Sequence, residues 1–220
     1  MLLDAFGTLV ELHAPAPRLR ALLAGAGHHH PEERVARALA AEVRHYRRHH
    51  DRGRDAASLA ALRRECAAVL AGVLGSDVPP LDALTGMLVD SLRFELLPDA
   101  LPCLDALAAL GVRLAVVSNW DCSLASVLAD LGIAERFGAV SVSAVVGAGK
   151  PDPAIFHDAL SRLRVPAARA LHCGDLPERD CAGAHRAGIR AVLIDRAGRL
   201  PDGPCPRIRT LTDLEKMMGR

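Results

Sequence analysis

From Pro98 onward, apolar residues switch repeatedly between helical and strand spacing, and this alternation restricts the fold more than anything else in the chain. Leu101, Leu104, Leu107 and Leu110 form a helical stripe closed by Gly111. Val112–Val117 reads as a buried strand that ends in Ser118-Asn119. Leu124, Val127, Leu128 and Leu131 make the next helix, and Val140–Val146 the next strand. Asp152 with Pro153 behind it marks a helix start, and Ala170–Cys173 and Ala191–Ile194 are two further strands. Strand–helix repeats of this length predict an α/β fold with a mostly parallel, doubly wound, Rossmann-like sheet and right-handed crossovers.

The segment before Pro98 is different. An apolar run opens the chain, delivers Asp4, and breaks at Gly7 with Thr8 behind it, as a short buried strand does at its carboxyl end. Helical spacing then takes over: Val35, Leu39, Val43 and Tyr46; Leu59, Leu62, Cys66, Val69 and Val73; Leu81, Leu84, Leu88 and Leu92. Turn-rich breaks fall at 25–31, 51–54 and 75–80. A wholly helical block between the first and second strands reads as an inserted helical bundle. The expected division is residues 1–12 with 97–220 as the α/β core and 13–96 as the insertion.

Composition matters here mainly for what it excludes. The net charge is +1 and aromatic residues make up 3 % of the chain, so neither a basic field nor a set of stacking rings points to nucleic acid. No apolar run is long enough to span a membrane, and the N-terminus lacks a basic leader pattern. Cys66, Cys103, Cys122, Cys173, Cys181 and Cys205 are scattered without a Cys-x-x-Cys pair, which predicts reduced thiols in a cytoplasmic protein. Lysine occurs only at Lys150 and Lys216, so a lysine in an inner loop stands out.

Parallel strands place their carboxyl ends on one edge of a sheet. Here those exits are Asp4 with Thr8, Ser118 with Asn119, Lys150 after the third strand, and Asp175 after the fourth with Asp180 five residues on. A carboxylate, a hydroxyl, an ammonium and further carboxylates would converge there. That set suits attack by Asp4 on an electrophilic centre, with Lys150 and Ser118 neutralising charge. Asp4 and Asp175 could also hold a hard divalent ion, most naturally Mg²⁺.

The motifs Asp4-Ala-Phe-Gly-Thr-Leu-Val, Val-Val-Ser118-Asn119, Gly149-Lys150-Pro151-Asp152 and Gly174-Asp175 with Asp180 and Gly183-Ala184 resemble, in order, those of the haloacid dehalogenase-like hydrolase superfamily. The helical insertion is similar to the four-helix cap of the branch holding 2-haloacid dehalogenases and many small-molecule phosphatases. The resemblance implies Asp4 as nucleophile, Thr8 and Ser118 bonding the transferred group, and Lys150 stabilising both nucleophile and substrate. It implies Mg²⁺ held by Asp4, Asp175 and the backbone carbonyl of Phe6, with Asp180 supporting that site.

One position departs from the phosphatase pattern. Phosphatases of the superfamily usually carry a second Asp two residues after the nucleophile to protonate the leaving group, and Phe6 stands there instead. Dehalogenases place an aromatic at that position, whereas Gly174-Asp175 is the metal-binding form of the fourth motif. The expected activity is therefore a Mg²⁺-dependent phosphohydrolase on a small, anionic metabolite, best with activated leaving groups. The alternatives are a 2-haloacid dehalogenase and a catalytically weak relative that only binds. Asn119, Trp120 and Arg47 are candidate substrate contacts. Arg47 comes from a run of basic and histidine residues at the end of a helix that equally fits a solvated terminus complementing the helix dipole. His28-His29-His30 lies in a Gly-Pro loop and reads as exposed loop, not as a metal site.

Overall fold

The computed structural model describes residues 1–200 and 202–218. The chain divides into two compact units: Met1–Glu11 with Glu95–Arg220, and Leu12–Phe94.

The first unit holds six parallel strands: β1 (Leu2–Leu3), β4 (Ala115–Ser118), β5 (Ala139–Val142), β6 (Leu171–Gly174), β7 (Arg190–Ile194) and β8 (Arg207–Ile208). Their spatial order is β5-β4-β1-β6-β7-β8. The chain moves outward from β1 through β4 to β5, then returns to the other side of β1 for β6. That reversal puts the topological switch at β1, where open α/β sheets bind their ligands beyond the carboxyl ends. The helices between strands are α5 (Ala100–Ala109), α6 (Leu124–Asp130), α7 (Ser143–Val146), α8 (Pro153–Leu163) and α9 (Ala182–Arg186). Asp152 caps α8 by accepting from the Ala154 N–H at 2.8 Å. From α8, Ile155, Phe156, Ala159, Leu160 and Leu163 share a buried cluster with Leu2, Ala115 and Val117 of the strands. At roughly 1.5–3 kcal/mol for each large apolar side chain, this burial is what holds the sheet's centre in place.

The structure corrects the expected elements in three places. The strand predicted over Val140–Val146 stops at Val142, and Ser143–Val146 is helical. Ser143 Oγ accepts from the Trp120 N–H at 3.1 Å, and Gly147 closes the turn at φ +81°. Val145, which made the run look like a strand, is 63 % exposed. Two short strands were also absent from the sequence reading: β2 (Val10–Leu12) and β3 (Phe94–Leu96) pair with each other. Finally, Cys181 and Cys205 are bridged by a disulfide 24 residues apart, so two of the cysteines expected as thiols are oxidised. Cys66, Cys103, Cys122 and Cys173 take part in no disulfide.

The second unit contains α1 (Pro15–Gly25), α2 (Glu32–His49), α3 (Ala56–Leu74) and α4 (Leu81–Ser91). Asp55 and Ser58 form a reciprocal capping box at the start of α3. Leu19, Leu23, Val35, Leu39, Leu62, Cys66, Leu70, Leu84 and Leu88 meet in its core. Along α3 the buried stripe continues through Leu70 and Leu74, leaving Val73 exposed. Both pairs satisfy a 3.6-residue period, and the larger leucines take the interior. In the loop after α1, His28 bonds the Asp77 carboxylate at 2.8 Å and His30 is buried against the Asp77 carbonyl at 2.7 Å. That loop is therefore more firmly tied than an exposed one. Among the described residues no helix is long and apolar enough to cross a membrane.

Candidate active site

Asp4 leaves β1 buried, its N–H donating to the Cys173 carbonyl at 2.9 Å. Two partners hold the same oxygen. Ser118, at the end of β4, donates to Asp4 Oδ1 at 2.9 Å, and Lys150 Nζ stands 2.7 Å from it. Neither contact engages Oδ2. A hydroxyl has one proton to donate, and here Ser118 directs it at Asp4. Thr8 is fully buried with Oγ1 lacking a hydrogen-bond partner.

Lys150 reaches the sheet edge from the loop after α7, and its backbone is clamped. Asn119 Oδ1 accepts from the Lys150 N–H at 2.6 Å while Nδ2 donates to the Lys150 carbonyl at 2.9 Å. Asn119, anticipated as a substrate contact, thus has both ends of its amide committed to positioning Lys150. A side chain at Gly149 would come within 3.0 Å of Asn119 Oδ1, so this residue keeps the clamp closed.

Asp180 completes the set. Its Oδ1 accepts from Lys150 Nζ at 2.6 Å and contacts His172 Nε2 at 2.8 Å; its Oδ2 accepts from the Leu176 N–H at 2.9 Å. Asp180 lies where a side chain at Gly174 would project, which is why β6 ends in glycine. His172 was missed in the sequence. The period of two along β6 puts His172 and Gly174 on one face, and a histidine inside an apolar strand was the available signal.

Asp175 turns the other way, against Gly7: a Cβ on Gly7 would sit 2.6 Å from Asp175 Oδ2, and Gly7 holds φ +80°. Oxygens of Asp4, Asp175 and Asp180 lie within 4.8 Å of one another. Asp175 Oδ1 is buried with no hydrogen-bond partner. Burial, then Asp4 and Asp180, push the Asp175 carboxyl up to about 6. Burial also raises Asp4, and Asp180 adds to that, outweighing Lys150. Asp180 would be raised by burial alone, but the charge of Lys150 and the bond from His172 hold it well below the carboxylate range. Lys150, despite burial, is held above its ordinary value by Asp180 and Asp4. When all three carboxylates are ionised, the one ammonium leaves two negative charges uncompensated, a charge that one divalent cation balances.

Phe6 is 38 % exposed, and its ring lies 6.3 Å from that of Trp120, which is 6 % exposed and belongs to the core. Asp121 is a turn residue, accepting from the Ser123 N–H. Burial pushes the Cys173 thiol far up, which makes it packing and not chemistry. Arg47 lies in the second unit, exposed on the last turn of α2, with its carbonyl bonded to the His50 ring.

Behind the Gly7–Thr8 turn, Arg196 donates to the Thr8 carbonyl at 3.0 Å and to both Asp99 oxygens at 2.7 and 3.0 Å. The Leu211 N–H donates to the same carboxylate. Burial would raise Asp99; the Arg196 bonds, that N–H and the Arg196 charge outweigh it and lower the carboxyl. A lowered carboxyl stabilises the fold above its ordinary value of about 3.9 and loses that contribution as pH falls through the lowered value. Asp99→Asn is expected to cost about 1–2 kcal/mol at neutral pH after solvent screening. The deficit is expected to shrink as pH falls below the ordinary carboxylate value and through the lowered one. Denaturant titrations of both proteins at neutral and at acid pH check this.

The chain is similar to known proteins. A family model described as haloacid dehalogenase-like hydrolase matches residues 1–188. The glyceraldehyde 3-phosphate phosphatase of Methanopyrus kandleri is 31 % identical over 204 residues, 86 % of this chain and 82 % of that protein. Haloacid dehalogenase-like hydrolase domain-containing protein 3 of Bos taurus is 43 % identical over 94 residues, 43 % of this chain; the match spans only 37 % of that relative's length. Among solved structures, the 2-haloacid dehalogenase of Pseudomonas syringae pv. tomato superposes with a TM-score of 0.67 at 25 % identity, covering 99 % of this chain and 96 % of that one. The chain belongs to the haloacid dehalogenase-like hydrolases.

Proposed function

We propose that the protein is a Mg²⁺-dependent phosphohydrolase acting on a small anionic metabolite, with Asp4 as nucleophile. The observation that carries this reading is Asp175 Oδ1, a buried carboxylate oxygen without a hydrogen-bond partner beside Asp4. A hard cation satisfies such an oxygen, whereas halide displacement has no use for a third carboxylate there. The match to the glyceraldehyde 3-phosphate phosphatase of Methanopyrus kandleri, over 86 % of this chain and 82 % of that protein, supports the same reaction class.

Asp4 and Asp175, with the Phe6 carbonyl, would hold the Mg²⁺. When bound, the ion would offset the negative charge of the phosphoryl group. Asp4 Oδ2 attacks phosphorus while Ser118 and Lys150 fix Oδ1. The bond from phosphorus to the leaving oxygen breaks, and water then cleaves the aspartyl phosphate to inorganic phosphate. Lys150 stays charged throughout because two carboxylates hold its proton.

Phe6 offers no proton to the leaving group. Aryl and acyl phosphates depart without one; alkyl phosphates do not, and a missing general acid is worth about 10²–10⁴ in rate. Phe6→Asp is expected to raise turnover of an alkyl phosphate by about 10²-fold, the low end of that range, and that of an aryl phosphate far less. Phosphate-release assays on both esters, with and without Mg²⁺, check this; an unchanged alkyl rate contradicts the role given to Phe6. A second reading rests on Phe6 itself and on the solved dehalogenase neighbour: 2-haloacid dehalogenation. Chloride release from 2-chloropropionate without metal would establish it in place of the first.

A further inference from the structure

Two cysteines and a histidine outside the acidic site form a second group of ligating side chains. Cys181 and His185 are four residues apart along the turn leading into α9, a spacing that puts both on one helical face. Cys205 approaches from the loop before β8, with its Cα 6.1 Å from that of Cys181. His185 Nε2 is 3.7 Å from Cys205 Sγ, and all three donor atoms lie within 4.8 Å of one another. The two sulfurs are buried in an apolar cluster with Ala184, Ile189 and Leu193. His185 is exposed and lines a surface cleft with Ile189, Arg190 and Pro206, which gives the group a way in from solvent.

We propose that, once the Cys181–Cys205 bridge is reduced, the protein binds one zinc ion through Cys181 Sγ, Cys205 Sγ and His185 Nε2, with water in the fourth position. Tetrahedral zinc, with bonds of about 2.3 Å to sulfur and 2.0–2.1 Å to nitrogen, needs sulfur and nitrogen about 3.6 Å apart. The His185–Cys205 distance is already that. The sulfurs must separate to about 3.8 Å, which side-chain rotation achieves at the existing Cα spacing. Soft thiolates with an imidazole select zinc over the hard ion suited to Asp4 and Asp175. Two thiolates, a neutral imidazole and Zn²⁺ carry no net charge, so the apolar surroundings favour the complex.

An external dithiol becomes a disulfide and passes two electrons and two protons to Cys181 and Cys205, which become thiols. Zinc binding then releases those two protons to solvent. Oxidation of the pair by a disulfide reverses both steps and expels the ion.

The test uses the full chain with excess Mg²⁺ present to occupy the acidic site. Reduced protein, freed of reductant under argon, is titrated with Co²⁺ and then Zn²⁺. One equivalent of Co²⁺ is expected, with thiolate-to-cobalt charge-transfer absorption and the intense visible bands of a tetrahedral ion, and Zn²⁺ is expected to displace it. His185→Ala should weaken binding by at least the about 10- to 100-fold that loss of a supporting contact costs, and Cys205→Ser should remove the charge-transfer absorption. Oxidised wild-type protein, which needs no substitution and so cannot be confused with misfolding, should bind no Co²⁺ with that signature. Equal signatures in the oxidised protein or in Cys205→Ser would place the metal elsewhere, and no thiolate absorption in the reduced protein would overturn the proposal outright.

Discussion

Asparagine at position 4 is expected to lower turnover by about 10⁴-fold or more, because the amide cannot form the covalent phosphoryl ester. The fold should survive the change. The amide oxygen still offers Ser118 an acceptor, and Lys150 keeps Asp180 at 2.6 Å. Burial already disfavours the Asp4 charge, so a neutral isostere relieves a cost, and the melting temperature is expected to hold or rise. Circular dichroism melts beside initial rates with an aryl phosphate separate the two effects. A large loss of rate together with a lower melting temperature would mean that Asp4 acts through the fold.

Removing Lys150 should do the opposite. Methionine there fills much of the same volume but leaves Asp4 and Asp180 buried, with Asp175 half-buried beside them, without the ammonium that Asp4 and Asp180 touch. Breaking a buried ion pair by removing one partner costs about 3–5 kcal/mol, most of it from the charges left behind. Lys150→Met is therefore expected to be destabilised by that amount in denaturant titration as well as inactive. Adding Asp180→Asn to the same protein should recover part of the loss, since it removes one stranded charge. Additive losses in the double variant would show that Lys150 and Asp180 are not coupled, contrary to their 2.6 Å contact.

The site's outline was legible because strand exits are marked in sequence: an apolar run, then Asp4, Ser118 or Asp175. A parallel sheet gathers such exits on one edge whatever the loops do. The partners that set the geometry were less visible. His172 sits inside β6, where a polar residue leaves no periodic trace until Asp180 folds back over Gly174. Asn119 reads as a substrate contact, but its clamp on Lys150 depends on two loops 31 residues apart meeting. The Cys181–Cys205 bridge is likewise a matter of tertiary approach, with no local spacing to announce it. In the helical unit, Leu70 and Leu74 displaced Val69 and Val73 as the buried positions because periodicity fixes a face only to within one residue. The strand that ends at Val142 shows the converse: β-branched residues at Val145 and Val146 were overruled by Ser143 and Gly147.

Mass spectrometry tests directly whether a phosphoryl group passes through Asp4. Protein mixed with an aryl phosphate and Mg²⁺, acid-quenched within a turnover and digested, should carry one phosphoryl mass on the N-terminal peptide containing Asp4. The Asp4→Asn protein should carry none. Phosphate release with Asp4 unmodified at every quench time, or a carboxyethyl ester on Asp4 after 2-chloropropionate without metal, would contradict that passage.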